Sequence, residues 1–106
     1  MTVSDWRERV RLERRVRIAD PAGGFSESWA FIAEVAASVR FLSAREGEDP
    51  PGAARRLSYE VRLRWRPGLG PPLRLMWRGR QLDVVSFDDP DGRRAQLILS
   101  CRETVP

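Results

Sequence analysis

The stretch that decides the fold is Leu57-Ser58-Tyr59-Glu60-Val61-Arg62-Leu63-Arg64-Trp65-Arg66, in which apolar and polar residues alternate without a break. Successive side chains of a strand point to opposite faces, so a period of two over this length describes a strand with one face on a core and the other in water. The same period recurs on either side. Upstream, Arg9 to Asp20 places Val10, Leu12, Val16 and Ile18 on one face, with Arg14 alone intruding among them. Ser28 to Leu42 puts Trp29, Phe31, Ala33, Val35, Ala37, Val39 and Phe41 in phase, and an alanine-rich helix over Ala30 to Ala37 is the competing reading of its middle. Downstream come Leu73 to Trp77, Gln81 to Phe87, and a last run lined by Ala95, Leu97, Leu99 and Cys101.

Turn chemistry separates these runs: Asp20-Pro21-Ala22-Gly23-Gly24, Pro67 to Pro72, Arg78-Gly79 and Asp88 to Gly92. Strands with one apolar face each must share a core, and closing the sheet also hides its edges. The expectation is an all-β fold, a small closed or partly open antiparallel barrel of about six strands. At 106 residues the chain has room for one core, so residues 1–106 are read as a single domain. Tight connection fails once, over the fourteen residues Ser43 to Arg56, SAREGEDPPGAARR. Connections usually run to about 4–6 residues, and longer ones tend to carry function. This long loop, residues 43–56, holds an acidic half (Glu46, Glu48, Asp49) and a basic half (Arg55, Arg56) around Pro50-Pro51-Gly52, with Arg45 at its entrance.

Composition narrows the chemistry. With no histidine and one cysteine, the usual metal-ligand sets and Ser/His or Cys/His catalytic arrangements cannot be assembled. No enzyme activity and no cofactor is expected, and Cys101 reads as a small buried hydrophobe. Gly68-Leu69-Gly70 begins like a dinucleotide fingerprint, but Pro71 and Pro72 stand where a helix must present its amides to phosphate. Asp89-Pro90-Asp91-Gly92 resembles a fragment of a calcium loop, yet the twelfth position from Asp89 is Ser100 and not a bidentate glutamate. No apolar run approaches the roughly 20 residues of a membrane helix, and Met1 to Arg11 lacks a secretory h-region, so a cytosolic product with no membrane partner is expected.

All 19 basic residues are arginine, a bias that fits a GC-rich genome, and the net charge is +4. A pI near 10.8 favours an anionic partner, with DNA the obvious one, although 15 acidic residues are interspersed. Trp29 and Trp65 lie in phase with aliphatic neighbours and read as core. Trp6 and Trp77, the latter beside Arg78, are the candidates for a subunit interface.

Taken in order, several short segments resemble the head-tail joining (head closure, or stopper) family of tailed phages and gene transfer agents. They are Arg9 to Arg14, Gly23-Gly24-Phe25-Ser26-Glu27-Ser28-Trp29, Val39 to Glu46, Val61 to Gly68, Leu73-Arg74-Leu75 with Gly79 to Val84, and Leu97 to Glu103. Members often carry Pro-Leu-Ser-Gly-Arg-Glu at the loop entrance, where this chain has Phe41 for the proline and Ala44 for the glycine; Leu82 stands where an aromatic is common. The resemblance implies a structural connector in the neck of a virion or phage-like particle. Copies would form a ring, six-fold or twelve-fold, below the portal and adaptor proteins, with the long loop turned to the channel. There it would retain packaged double-stranded DNA without reading its sequence, and the ring would dock a tail terminator or tail tube protein. Arg45, Arg55 and Arg56 are the candidate DNA contacts, and Glu46, Glu48 and Asp49 the candidate loop or subunit contacts. The alternatives are an OB-like nucleic-acid-binding barrel and another neck part such as a tail terminator.

Overall fold

The computed structural model describes residues 6–46, 55–70, 72–90 and 92–105. Six strands form: β1 Glu8–Ala19, β2 Phe25–Glu46, β3 Arg55–Arg64, β4 Leu73–Trp77, β5 Arg80–Asp88 and β6 Gln96–Val105. All neighbours are antiparallel, and the sheet closes in the order β1-β2-β3-β6-β5-β4, with β4 returning to β1. No helix occurs among the described residues, and Ala30 to Ala37 is strand.

Strand β3 behaves as its alternation dictates. Leu57, Tyr59, Val61 and Leu63 are buried while Ser58, Glu60 and Arg62 face outward. Leu12, Leu75, Leu82, Leu99 and Val10 join them from the other strands, with Cys101 and Ala37 filling the gaps. Each leucine fully withdrawn from water stabilises the fold by about 1.5–3 kcal/mol, so the barrel interior is the main source of stability.

Three phase errors in the simple alternation have one cause. The β1–β2 register shifts between Leu12 and Glu13 and leaves Ile32 without a partner; similar shifts leave Leu42 in β2 and Val85 in β5 unpaired. One extra residue flips every side chain beyond it to the opposite face. Phe31, expected in the core, is therefore 55% exposed opposite Glu13, and Trp29 lies half-buried on the outer wall. In β5 the shift instead brings Val84 and Phe87 both inward. Ile18, also expected inside, is exposed because β1 outruns the barrel. Arg14, the apparent intruder on the apolar face, donates through Nη2 to the Gly68 carbonyl and ties down the crossing from β3 to β4.

Two extensions leave the barrel. The first is the β1–β2 hairpin, where Arg15–Ala19 pairs with Phe25–Trp29 beyond the last β4 contact at Arg14. Asp20 closes its turn: its amide donates to the Gly24 carbonyl, its carbonyl accepts from Gly23, and its carboxylate accepts from Ala22. Gly23 takes φ +97°, which a side chain would resist. The second lies at the other end of β2. Ser43–Glu46 pairs with Arg55–Ser58, and β3 is backed in turn by Arg102–Val105 of β6. The long connection is thus narrower than the sequence indicates: residues 43–46 and 55–56 are strand, and 47–54 lie outside the described residues.

Candidate functional site

The three-stranded extension is a tongue whose arginines are set by register. Arg45 stands opposite Arg56, and Glu46 opposite Arg55. Arg56 in turn faces Thr104, and Arg55 faces Val105. Of the candidate contacts, Arg45 and Glu46 are therefore on β2, Arg55 and Arg56 are exposed on β3, and Glu48 and Asp49 lie outside the described residues. The expected separation of an acidic from a basic half becomes, in the described part, arginines on both strands with Glu46 across from one of them.

A buried polar cluster fastens the tongue to the barrel. Glu103 occupies an inward position in register with Leu57 and is only 6% exposed. Arg80 of β5 binds it in a fork, Nε to Oε2 at 2.9 Å and Nη2 to Oε1 at 2.6 Å. The Tyr59 hydroxyl donates to Oε1 at 3.0 Å and accepts from Arg80 Nη2 at 2.8 Å. Two-point, charge-assisted bonding of this kind fixes geometry as well as adding energy. Burial, then the neighbouring carboxylate, pushes the Tyr59 hydroxyl above its usual pKa, and the bond to Glu103 raises that of Arg80. Nothing in composition pointed to this cluster. The signal available was phase: Glu103 continues the inward series Leu97, Leu99, Cys101, and a charge in such a slot requires a partner.

Of the candidate interface residues, Trp77 and Arg78 belong to this same end. Trp77 is half-buried and edge-on to Tyr59, and its indole donates to Glu8 Oε1 at 2.7 Å. Arg78 is exposed and donates to Glu8 Oε2 at 2.8 Å, so Trp77 and Arg78 share one carboxylate. The Trp77 bond, followed by Arg78, holds the Glu8 carboxyl below its ordinary range. Trp6 lies elsewhere, in a cleft of about 310 Å³ shared with Val35, Ala36 and Trp65, and its indole nitrogen is buried without a partner.

Three of the four tryptophans carry an arginine on one face. Arg74 lies 4.3 Å above Trp29, Arg78 and Arg80 lie 5.3 and 5.5 Å from Trp77, and Arg94 lies 5.4 Å from Trp65. On the first extension, Arg17 covers one side of Phe25, which is still 63% exposed. Each stack leaves one face fewer on Trp29, Trp65 and Trp77 for a base to use. Cys101 is buried, and desolvation pushes its thiol up to about 12, which fits an inert core position.

Among curated proteins none matches the chain. Among solved structures, a chain of the native gene transfer agent virion is 25% identical, with 92% of this chain and 93% of that one covered at a TM-score of 0.77. Protein SF1141 from Shigella flexneri 2a is 23% identical, with 97% and 96% covered at a TM-score of 0.73, a likeness that bears on fold alone. The family model of phage head completion proteins matches residues 1–104, and with the virion neighbour this makes the chain a structural part of the particle neck and not an enzyme: it belongs to the phage head completion protein family.

Proposed function

We propose that the chain works as the stopper of the neck: a single domain whose copies form a ring beneath the portal and adaptor, hold back packaged DNA with the β2–β3 connection, and present a face to a tail terminator or tail tube protein. The observation that carries this reading is the tongue. A bare fourteen-residue loop would be a soft obstacle, whereas here the strands on both sides of residues 47–54 are paired and β6 supports them from behind. A hairpin backed by a third strand has the stiffness an isolated ribbon lacks.

Ring formation needs two different flanks on each copy, because a heterologous contact repeated under rotation closes into a cycle. The two extensions at opposite ends of β2 provide such non-equivalent surfaces. DNA contact through Arg45, Arg55 and Arg56 requires no sequence reading, since phosphate contacts are indifferent to base identity. Glu46, Glu48 and Asp49 are assigned to contacts between neighbouring loops, and Trp6, Trp77 and Arg78 to the subunit face.

Deleting residues 48–54 from the chain in assembling particles tests the reading. The barrel is expected to fold as before, and tail-less heads are expected to lose DNA that wild-type heads retain. Full retention by the deletion variant removes the loop from the mechanism.

A further inference from the structure

We infer that the outer face of the tongue holds a phosphoryl-oxyanion site built from Arg56, Arg102, Ser43 and Ser58. These four residues line one cleft of about 240 Å³. Register explains why they converge: Ser43, Ser58 and Arg102 stand side by side across β2, β3 and β6, and Arg56 lies two residues from Ser58 on the same face. Two guanidinium forks and two hydroxyls are all hydrogen-bond donors, the set that a tetrahedral oxyanion accepts from several directions.

The charge arrangement calls for an anion. Several arginines of the barrel wall rest on carboxylates, as Arg40 and Arg62 do on Glu60, and Arg11 and Arg74 on Glu13. Arg56 and Arg102 reach no carboxylate within 4 Å among the described residues. The nearest acid in register, Asp83 beside Arg102, accepts instead from Gln81. A bound phosphoryl group would supply the anion that Arg56 and Arg102, which line the same cleft, do not find in this chain.

Two sources share this chemistry, the phosphodiester backbone of duplex DNA and free phosphate. The DNA arm of the inference rests on the stopper reading, and the oxyanion site itself does not. Titration of the full chain, followed through the amide signals of Ser58 and Arg102, uses inorganic phosphate and a short mixed-sequence duplex in turn. Both are expected to shift the same signals and to compete. Shifts with phosphate alone keep the site and assign it a free anion, which counts against DNA contact at the tongue; shifts with neither overturn the inference. Arg102→Gln and Arg56→Gln are expected to lower duplex affinity by about 3- to 10-fold and to reduce the salt slope by about one each. Arg93→Gln, in the turn that precedes β6, serves as the control for diffuse charge. Equal losses in all three variants would mean that no cleft exists in the functional sense, only a basic surface.

Discussion

Replacing Arg80 by methionine is expected to cost more than replacing Glu103 by glutamine, although the two substitutions break the same pair. The Glu103 side chain is 8% exposed and cannot reach water from its inward slot, whereas that of Arg80 is 40% exposed. Arg80→Met therefore strands a charge in the barrel with only the Tyr59 hydroxyl as donor, and the loss of one partner of a buried pair costs about 3–5 kcal/mol. Glu103→Gln leaves a guanidinium that turns to solvent and an amide oxygen that still accepts from Tyr59, so about 1 kcal/mol is expected. The pair Arg80→Met with Glu103→Leu removes both charges but leaves the buried Tyr59 hydroxyl without a partner, so it should recover part of the loss and remain about 1–3 kcal/mol below wild type. Urea unfolding at pH 7 with an unchanged m-value reads the global cost. Amide exchange over Arg55–Ser58 reads the local one, which should rise as the tongue loses its anchor. If Glu103→Gln proves as costly as Arg80→Met, the buried carboxylate is not what the cluster exists to satisfy.

Three further outcomes follow from single sites. The Cys101 thiol, raised to about 12, should react with alkylating reagents at pH 8 only at the rate of unfolding, and prompt labelling of the native chain would place it at the surface. Because its folded pKa exceeds the unfolded value, its contribution is complete below pH 9 and declines by about 1.4 kcal/mol per unit between 9 and 12. Glu8 carries the opposite sign: its lowered pKa adds stability above the unfolded value of 4.5 that disappears as pH falls through the folded one. Glu8→Gln should flatten that part of the acid limb of urea midpoints between pH 3 and 6, and an unchanged limb contradicts the assignment. Gly79→Ala in the Arg78-Gly79 hairpin should cost about 1–2 kcal/mol. Its φ is +76° and nothing lies within 4 Å of the added carbon, so the penalty is conformational; a neutral result would exclude the two-residue turn with both φ positive.

What the sequence disclosed and what it hid follow from where the ladder is regular. Strand β3 could be read residue by residue because no shift interrupts it, and the order of turns then required a closed sheet. Phe31 misled because one unpaired residue, Ile32, reverses the faces beyond it, and a bulge leaves no mark in a hydropathy pattern. The flanks of the long connection were hidden for a different reason. Ser43–Glu46 and Arg55–Arg56 offer no continuous apolar face, so their pairing rests on backbone bonds and on β6 behind them. Arginine positions 45, 55 and 56 were legible as a basic cluster, but Arg102 joins only through the β3–β6 register, some forty residues away in sequence.

A closed barrel has no strand edge to offer a neighbour, and several arginines of this wall are matched to carboxylates within the same chain. Assembly and DNA contact must then draw on what closure leaves over. Among the described residues the tongue keeps an open ladder along Ser43–Glu46 and exposed cations at Arg55, Arg56 and Arg102. Among the described residues the β1–β2 hairpin has no partner on either outer edge, and it exposes Phe25. Both run off the ends of one strand, β2 Phe25–Glu46, whose 22 residues exceed what the barrel can pair. The ladder of this one strand is interrupted twice, at Ile32 toward β1 and at Leu42 toward β3. Removing Ile32 would leave Ala33 opposite Leu12 and Phe31 opposite Glu13 in an unbroken ladder, so the deletion should cost the packing of one partly buried side chain and leave the barrel folded; loss of cooperative urea unfolding would show that the bulge itself is needed for closure.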